Sequence, residues 1–178
     1  MSQSRGLSRE IRHGAFKGRR RFETVDELPD EYRQLLLKFL TVQADTELGS
    51  VEQYLPWLVQ APRVEDRWIV ARQQADEVRH GLEMLRLLRL FGPEGEALEG
   101  DVLRRRLGEH FLPAFNVPLE TWPDVLAHAC LMDRVGEYQL RSMADCSFAP
   151  LARAIGPIVE EERMHPSYGT RGLARMAR

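Results

Sequence analysis

The chain has 178 residues, long enough for one domain with a substantial core and no covalent staples. Lys and Arg total 25 against 27 Asp and Glu, a net charge of -2, so nucleic acid and anionic membranes are not expected partners. No apolar run of about 18 residues exists to span a bilayer, no signal-peptide pattern opens the chain, and two cysteines, Cys130 and Cys146, make no disulfide framework.

A cytoplasmic protein with reduced thiols is therefore expected. Residues 1–27 read as a basic arm, carrying Arg5, Arg9, Arg12, Lys17, Arg19, Arg20 and Arg21 before residue 22 against the single acid Glu10. Such a run is expected to be a solvated arm, the alternative being an arm that docks on an acidic or phosphate-bearing partner. The main domain is expected over 28–170, with 171–178 as a tail.

The first helical block opens at Leu28-Pro29-Asp30, where Pro suits a first turn. Tyr32, Leu35, Leu36, Phe39, Leu40, Gln43 and Glu47 continue it as a 3.6-residue stripe, and Pro56 is expected to end or kink it. The second block runs from about Val64 to Leu90 and stops at Phe91-Gly92-Pro93. Residues 92–120, rich in Gly, Glu and Pro, predict a long crossover with a short helix inside. The third block starts at Thr121, a candidate N-cap, and ends near Asp145. The fourth starts around Phe148-Ala149-Pro150 and reaches Tyr168-Gly169, with Gly156-Pro157 expected to break it in two. Four helices with a long connection between the second and third predict an all-α, ferritin-like four-helix bundle.

The chemistry lies in two segments of one design, Asp76-Glu77-Val78-Arg79-His80 and Glu161-Glu162-Arg163-Met164-His165. Residues i and i+3 share a helix face, so Glu77 with His80, and Glu162 with His165, can each reach one metal ion. The preceding acid lies four residues before the His and can hold its other ring nitrogen; Asp76 is expected to do so for His80 and Glu161 for His165. A di-iron carboxylate centre also needs a carboxylate from each remaining helix. Glu47 stands on the first stripe; Asp133 and Glu137 share a face of the third helix, and periodicity does not choose between them. A third Glu-x-x-His, Glu10 with His13, lies in the basic arm without an apolar stripe and reads as accidental. His110 and His128 have no spaced partner and read as surface or hydrogen-bonded residues, and both cysteines as small buried side chains.

Further stretches carry a family likeness: Leu28-Pro29-Asp30-Glu31-Tyr32, Asp76-Glu77-x-x-His80-Gly81, the run from Cys146 through Pro150 to Ala154, and Glu161-Glu162-x-x-His165. Over about residues 28–169 the chain resembles the phenylacetate-catabolism family of ferritin-like di-iron proteins, whose catalytic subunit belongs to phenylacetyl-CoA epoxidase. The resemblance implies two Fe ions held by Glu47, Glu77, His80, Asp133, Glu162 and His165, with Asp133 preferred for its Leu-x-Asp context and Glu137 left in a supporting place beside Asp76 and Glu161. It implies a monooxygenase that activates O2 to oxygenate an aryl-CoA thioester, served by a reductase and by a second ferritin-like subunit or a homo-oligomer. The competing readings are a non-catalytic ferritin-like scaffold and an iron-binding ferroxidase. Leu36, Phe39 and Met132 are apolar candidates for a substrate cavity, with core packing as their other role.

Overall fold

A computed structural model of the chain describes residues 8–178. Among them no strand forms, only isolated bridges, and the architecture is a bundle of long helices as predicted.

Helix α1 spans Asp30–Tyr54, with Pro29 ahead of it and Asp30 and Glu31 in its first turn, where acids favour the positive helix end. Pro56 follows its end, and a short α2, Trp57–Gln60, turns the chain. Helix α3 spans Val64–Arg89. Gly92 then takes φ +67°, a left-handed turn that glycine adopts without steric cost, and Pro93 opens α4, Pro93–Arg104. Helix α5 spans Trp122–Met143 and begins with a reciprocal cap: the Asp124 N–H donates to Thr121 Oγ1 at 3.4 Å, and the Thr121 N–H to Asp124 Oδ2 at 2.8 Å. Helices α6, Ala149–Glu162, and α7, Met164–Met176, complete the bundle. Helix α1 packs along α3, and α5 along both α6 and α7.

The expected break at Gly156-Pro157 is not where the fourth segment is interrupted. Pro157 sits inside α6 on its exposed face, where the Arg153 carbonyl that loses its partner is on an exposed residue. The interruption falls at Arg163, because Pro166 has no N–H to return to the Glu162 carbonyl. The segment also runs beyond Gly169 to Met176, so the boundary expected at 170 lies within α7. Gly169 explains the extension. A Cβ there would stand 2.4 Å from the Cys130 nitrogen and 2.5 Å from the Leu126 carbonyl oxygen, so α7 lies backbone to backbone on α5.

The described part of the arm folds back on its own chain. Arg21 is 3% exposed and donates to the carbonyls of Ser8 (2.7 Å) and Asp145 (3.0 Å), and it also pairs with the Asp145 carboxylate. The Phe22 N–H bonds the Ser147 carbonyl at 3.0 Å, seating the arm at the α5–α6 corner. The solvated arm expected from the charge run is thus an ordered strap over residues 8–27, and its acidic partner is Asp145 of the same chain; Arg5 lies outside the described residues.

Two apolar clusters fill the bundle. One joins Leu36, Leu40, Met84, Leu88, Leu140, Phe148 and Ile155; the other joins Tyr54, Trp57, Val70 and Val125. Leu36 belongs to the first cluster as core, and the half-buried Phe39 packs against it. Residues 47, 77, 80 and 133 fall along their helices between the two, and 162 and 165 follow the first cluster where α6 passes into α7, so a polar layer borders both.

Asp66 ties α3 to α7, accepting from Tyr168 Oη at 3.0 Å, Arg63 Nε at 2.9 Å and Arg175 Nη2 at 3.3 Å. Burial works to raise its pKa, but the donors from Arg63 and Tyr168 outweigh it and hold it below the usual carboxylate range. A depressed folded pKa adds stability above the unfolded value of about 4 that disappears as pH falls through the folded value. Urea denaturation from pH 6 down to pH 3 is expected to show a steeper loss of stability for the native chain than for Asp66→Asn. Gly169→Ala is expected to cost about 1–3 kcal/mol by overpacking against the α5 backbone. Gly156→Ala, which meets nothing within 4 Å, should leave the thermal midpoint unchanged or slightly higher.

Candidate metal centre

Each long segment delivers acids to the polar layer. Helix α1 brings Glu47, α3 brings Glu77 and His80, α5 brings Asp133, α6 ends on Glu162, and α7 contributes His165 from its first turn. Glu47, Glu77, His80, Glu162 and His165 are all 5% exposed or less.

The donor atoms of Glu47, Glu77, His80 and Glu162 lie within 4.8 Å of one another. His80 Nδ1 is 2.8 Å from Glu162 Oε1 and 3.6 Å from Glu47 Oε2. His165 Nδ1 is 3.1 Å from Glu77 Oε1 and 3.3 Å from Glu162 Oε2. The two imidazoles face each other at 6.5 Å with 29° between their planes. Short as these distances are, neither Nδ1 is aligned for a hydrogen bond with a carboxylate. Two ring nitrogens turned toward buried acids, without bonding them, suit a shared cation better than a hydrogen-bond network.

Outside this group each imidazole is supported by an acid, but not the one expected. Glu161 Oε2 meets His80 Nε2 at 3.0 Å, and Asp76 Oδ2 lies 3.7 Å from His165 Nε2. The same-helix pairing of Asp76 with His80 and of Glu161 with His165 is therefore corrected to a crossed one. With Nδ1 aimed at the centre, Nε2 points across the seam to the opposite helix, out of reach of the acid one turn below on its own helix. Arg79 pairs with Glu161 and extends the chain of contacts to the surface.

Asp133 and Glu137 part company. The Asp133 side chain is buried, accepts from Gln73 Nε2 at 2.8 Å and lines one small cavity with Glu47, Glu77 and Glu162. It stands beside the four-donor group rather than in it. Glu137 Oε1 turns to Arg141 Nη2 at 3.2 Å. Gln43 and Gln73, to which the motifs assign no site role, position the acids: Gln43 Nε2 donates to Glu47 Oε1 at 2.6 Å. Each stands four residues before an acid of the site, Glu47 or Glu77, and that spacing is the signal that could have found them.

The electrostatics match a cation site. Burial, then the charges of Glu162 and Glu47, push Glu77 well above the usual carboxylate range, against the pull of the nearby His165 ring. Burial also raises Asp133 to about 8, although His165 draws it down. Glu162 resists burial and falls to about 2, because both imidazoles face it. Burial would lower His80, but Glu162 and Glu47 hold it at about 9; His165 is likewise raised, by Asp76, Glu162 and Glu77. Four carboxylates thus compete for two imidazolium charges, and divalent cations would relieve that excess.

His110 and His128 are buried hydrogen-bonding residues. His110 Nδ1 lies 3.0 Å from Asp45 Oδ1, and Tyr54 Oη lies 3.1 Å from His128 Nδ1. Cys130 and Cys146 are half-buried free thiols. His13, partner of the decoy Glu10, sits 3.6 Å from Asp145, away from the centre.

The model of the phenylacetic acid catabolic protein family matches residues 1–178. The chain belongs to the phenylacetic acid catabolic protein family. It is 34% identical over 173 residues to benzoyl-CoA oxygenase component B of Aromatoleum evansii, a match covering 94% of this chain and 36% of that protein. It is 26% identical over 155 residues to one of the subunits of 1,2-phenylacetyl-CoA epoxidase from Escherichia coli (strain K12), covering 87% of this chain and 50% of that protein. The chain thus spans between a third and half of the length of these relatives.

Replacing Glu77 and Glu162 together with Ala is expected to abolish iron loading, read as metal per chain by elemental analysis after reconstitution; stoichiometric iron in that variant rules the site out. Glu10→Ala should load like the native chain. Asp76→Ala and Glu161→Ala, each removing the crossed support of one imidazole, should weaken metal affinity by about 10- to 100-fold.

Proposed function

We propose that this chain is an oxygenase component that holds two iron ions and oxygenates an aryl-CoA thioester. The observation that carries the reading is the buried set in which both imidazole Nδ1 atoms and the carboxylates of Glu47, Glu77 and Glu162 converge between four helices. In this reading Glu47, Glu77, His80, Asp133, Glu162 and His165 would together hold the two ions. A pair of ferrous ions bound there would supply the electrons and open positions needed to activate O2.

The residues of the chain do the rest. Glu161 holds the His80 ring with Nδ1 inward, and the charge of Asp76, 3.7 Å from His165 Nε2, favours the same orientation for His165. Gln43 and Gln73 hold Glu47 and Asp133 in place. The apolar clusters above and below keep water from the acids. The cavity beside them has a volume of about 50 Å³ and is walled in part by Phe115, Met132 and Leu140. Ligand pockets usually measure roughly 300–1,000 Å³, so an aryl ring enters by displacing Phe115 and Met132.

The substrate class follows from relatives named for benzoyl-CoA and phenylacetyl-CoA. In this reading a reductase supplies the electrons; the two cysteines present here cannot hold an iron–sulfur cluster. A second ferritin-like subunit or a further copy of this chain completes the assembly. No described helix is long and apolar enough to cross a membrane, and we place the enzyme in the cytoplasm.

Iron-loaded protein, a reductase, NAD(P)H and ¹⁸O₂ are to be combined with benzoyl-CoA or phenylacetyl-CoA. One labelled oxygen atom in the thioester product, detected by mass spectrometry, is the expected result. Iron oxidation with both thioesters returned unchanged would replace this reading with the ferroxidase one.

A further inference from the structure

Beside the centre, between α3 and α7, lies a groove of about 130 Å³ that the oxygenase reading does not use. Its rim carries Trp68, 63% exposed, and Met164, 53% exposed. Its floor is Asp76 and His165, the outer support and the imidazole of one metal subsite. His165 is 4% exposed, and its Nε2 has no hydrogen-bond partner. The groove is therefore a place where the surface comes within one side chain of the metal set.

The unpaired charge around this groove is basic. Arg72 stacks toward the Trp68 ring, with 6.0 Å from Cζ to the ring centre. Arg72 and Arg171 line the groove, and Arg134 and Arg171 line the adjoining hollow between α5 and α7. Arg72, Arg134 and Arg171 are exposed, and among the described residues none has a carboxylate within 4.0 Å. The neighbouring acids are already engaged: Glu160 with Arg163, Glu161 with Arg79, Glu137 with Arg141, and Asp76 turned to His165. Three guanidinium groups without an acid, set around two exposed apolar side chains, form a patch with a greasy centre and a basic rim.

We propose that this α3–α7 groove is the docking surface of an acidic one-electron carrier protein, whose electrons enter the metal centre over Asp76 and His165. The inference rests on the di-iron reading of the site. Each encounter transfers one electron and no atom: the carrier is oxidised by one electron and one ferric ion is reduced to ferrous, so two encounters reduce the pair. The basic rim steers an acidic partner, and Trp68 and Met164 bury against it once it arrives.

The test needs no turnover. Metal-free chain is titrated with an acidic plant-type [2Fe–2S] ferredoxin at low salt, following tryptophan fluorescence and, independently, calorimetric heat. Binding is expected, weakening steeply as salt rises. Arg72→Glu/Arg171→Glu should lower affinity by at least about tenfold, whereas Arg104→Glu, on the remote α4, should bind as the native chain does. Equal affinity in the native and doubly reversed chains, or no binding to either, overturns the proposal. With iron loaded, the same double variant should be reduced slowly by ferredoxin and at the native rate by dithionite with methyl viologen. A chain that holds no iron, or whose iron the small reductant cannot reduce, defeats the di-iron reading itself, and the docking proposal with it.

Discussion

The constraint on which the structure depends is the concentration of negative charge in its middle. Glu47, Glu77, Glu162 and the Asp133 side chain are withdrawn from water between four helices, with His80 and His165 set among them to balance part of the charge. An unpaired buried carboxylate is costly, and a cluster of them more so, because each raises the pKa of the next. Glu77 and Asp133 show this directly, both pushed far above the ordinary carboxylate range, first by burial. A protein that keeps such a layer inside an otherwise apolar bundle gives up stability there, the cost that a cation at the cluster would offset.

The remainder of the fold makes that layer possible. Apolar clusters on either side supply the burial that offsets it. Close backbone packing of α7 on α5 at Gly169 fixes the helix that carries His165. The break at Arg163 falls between Glu162 and His165, so the second Glu-x-x-His straddles two helices, where the first lies within one. Even so the two motifs present their donors alike, each Nδ1 near 3 Å from a carboxylate of the opposite motif.

The supporting acids show how the two halves are locked together. Glu161 on α6 reaches His80 on α3, and Asp76 on α3 reaches toward His165 on α7. Each helix thus sets an acid beside the other's imidazole, so the arrangement of both rings depends on the two halves together. The same seam opens outward as the groove under Trp68 and Met164, which places the support of one imidazole next to an exposed basic surface.

Much of this was written in periodicity. The 3.6-residue stripes, the caps at Pro29 and Thr121 and the stop at Gly92-Pro93 are local signals, and local backbone physics decides them. The Glu-x-x-His spacing is likewise local, so Glu77 with His80, and Glu162 with His165, could be named from the chain alone. What lay beyond the sequence depended on how the helices face one another. Both Pro157 and Pro166 carry the same helix-breaking chemistry, and only packing reveals that Pro157 loses its bond on an exposed face while Pro166 interrupts the segment. Asp133 and Glu137 share a helical face, and only the neighbours, Gln73 for one and Arg141 for the other, part them. The crossed support by Asp76 and Glu161 and the docking of Arg21 on Asp145 join residues remote in sequence, and no spacing rule along one helix reaches across a bundle.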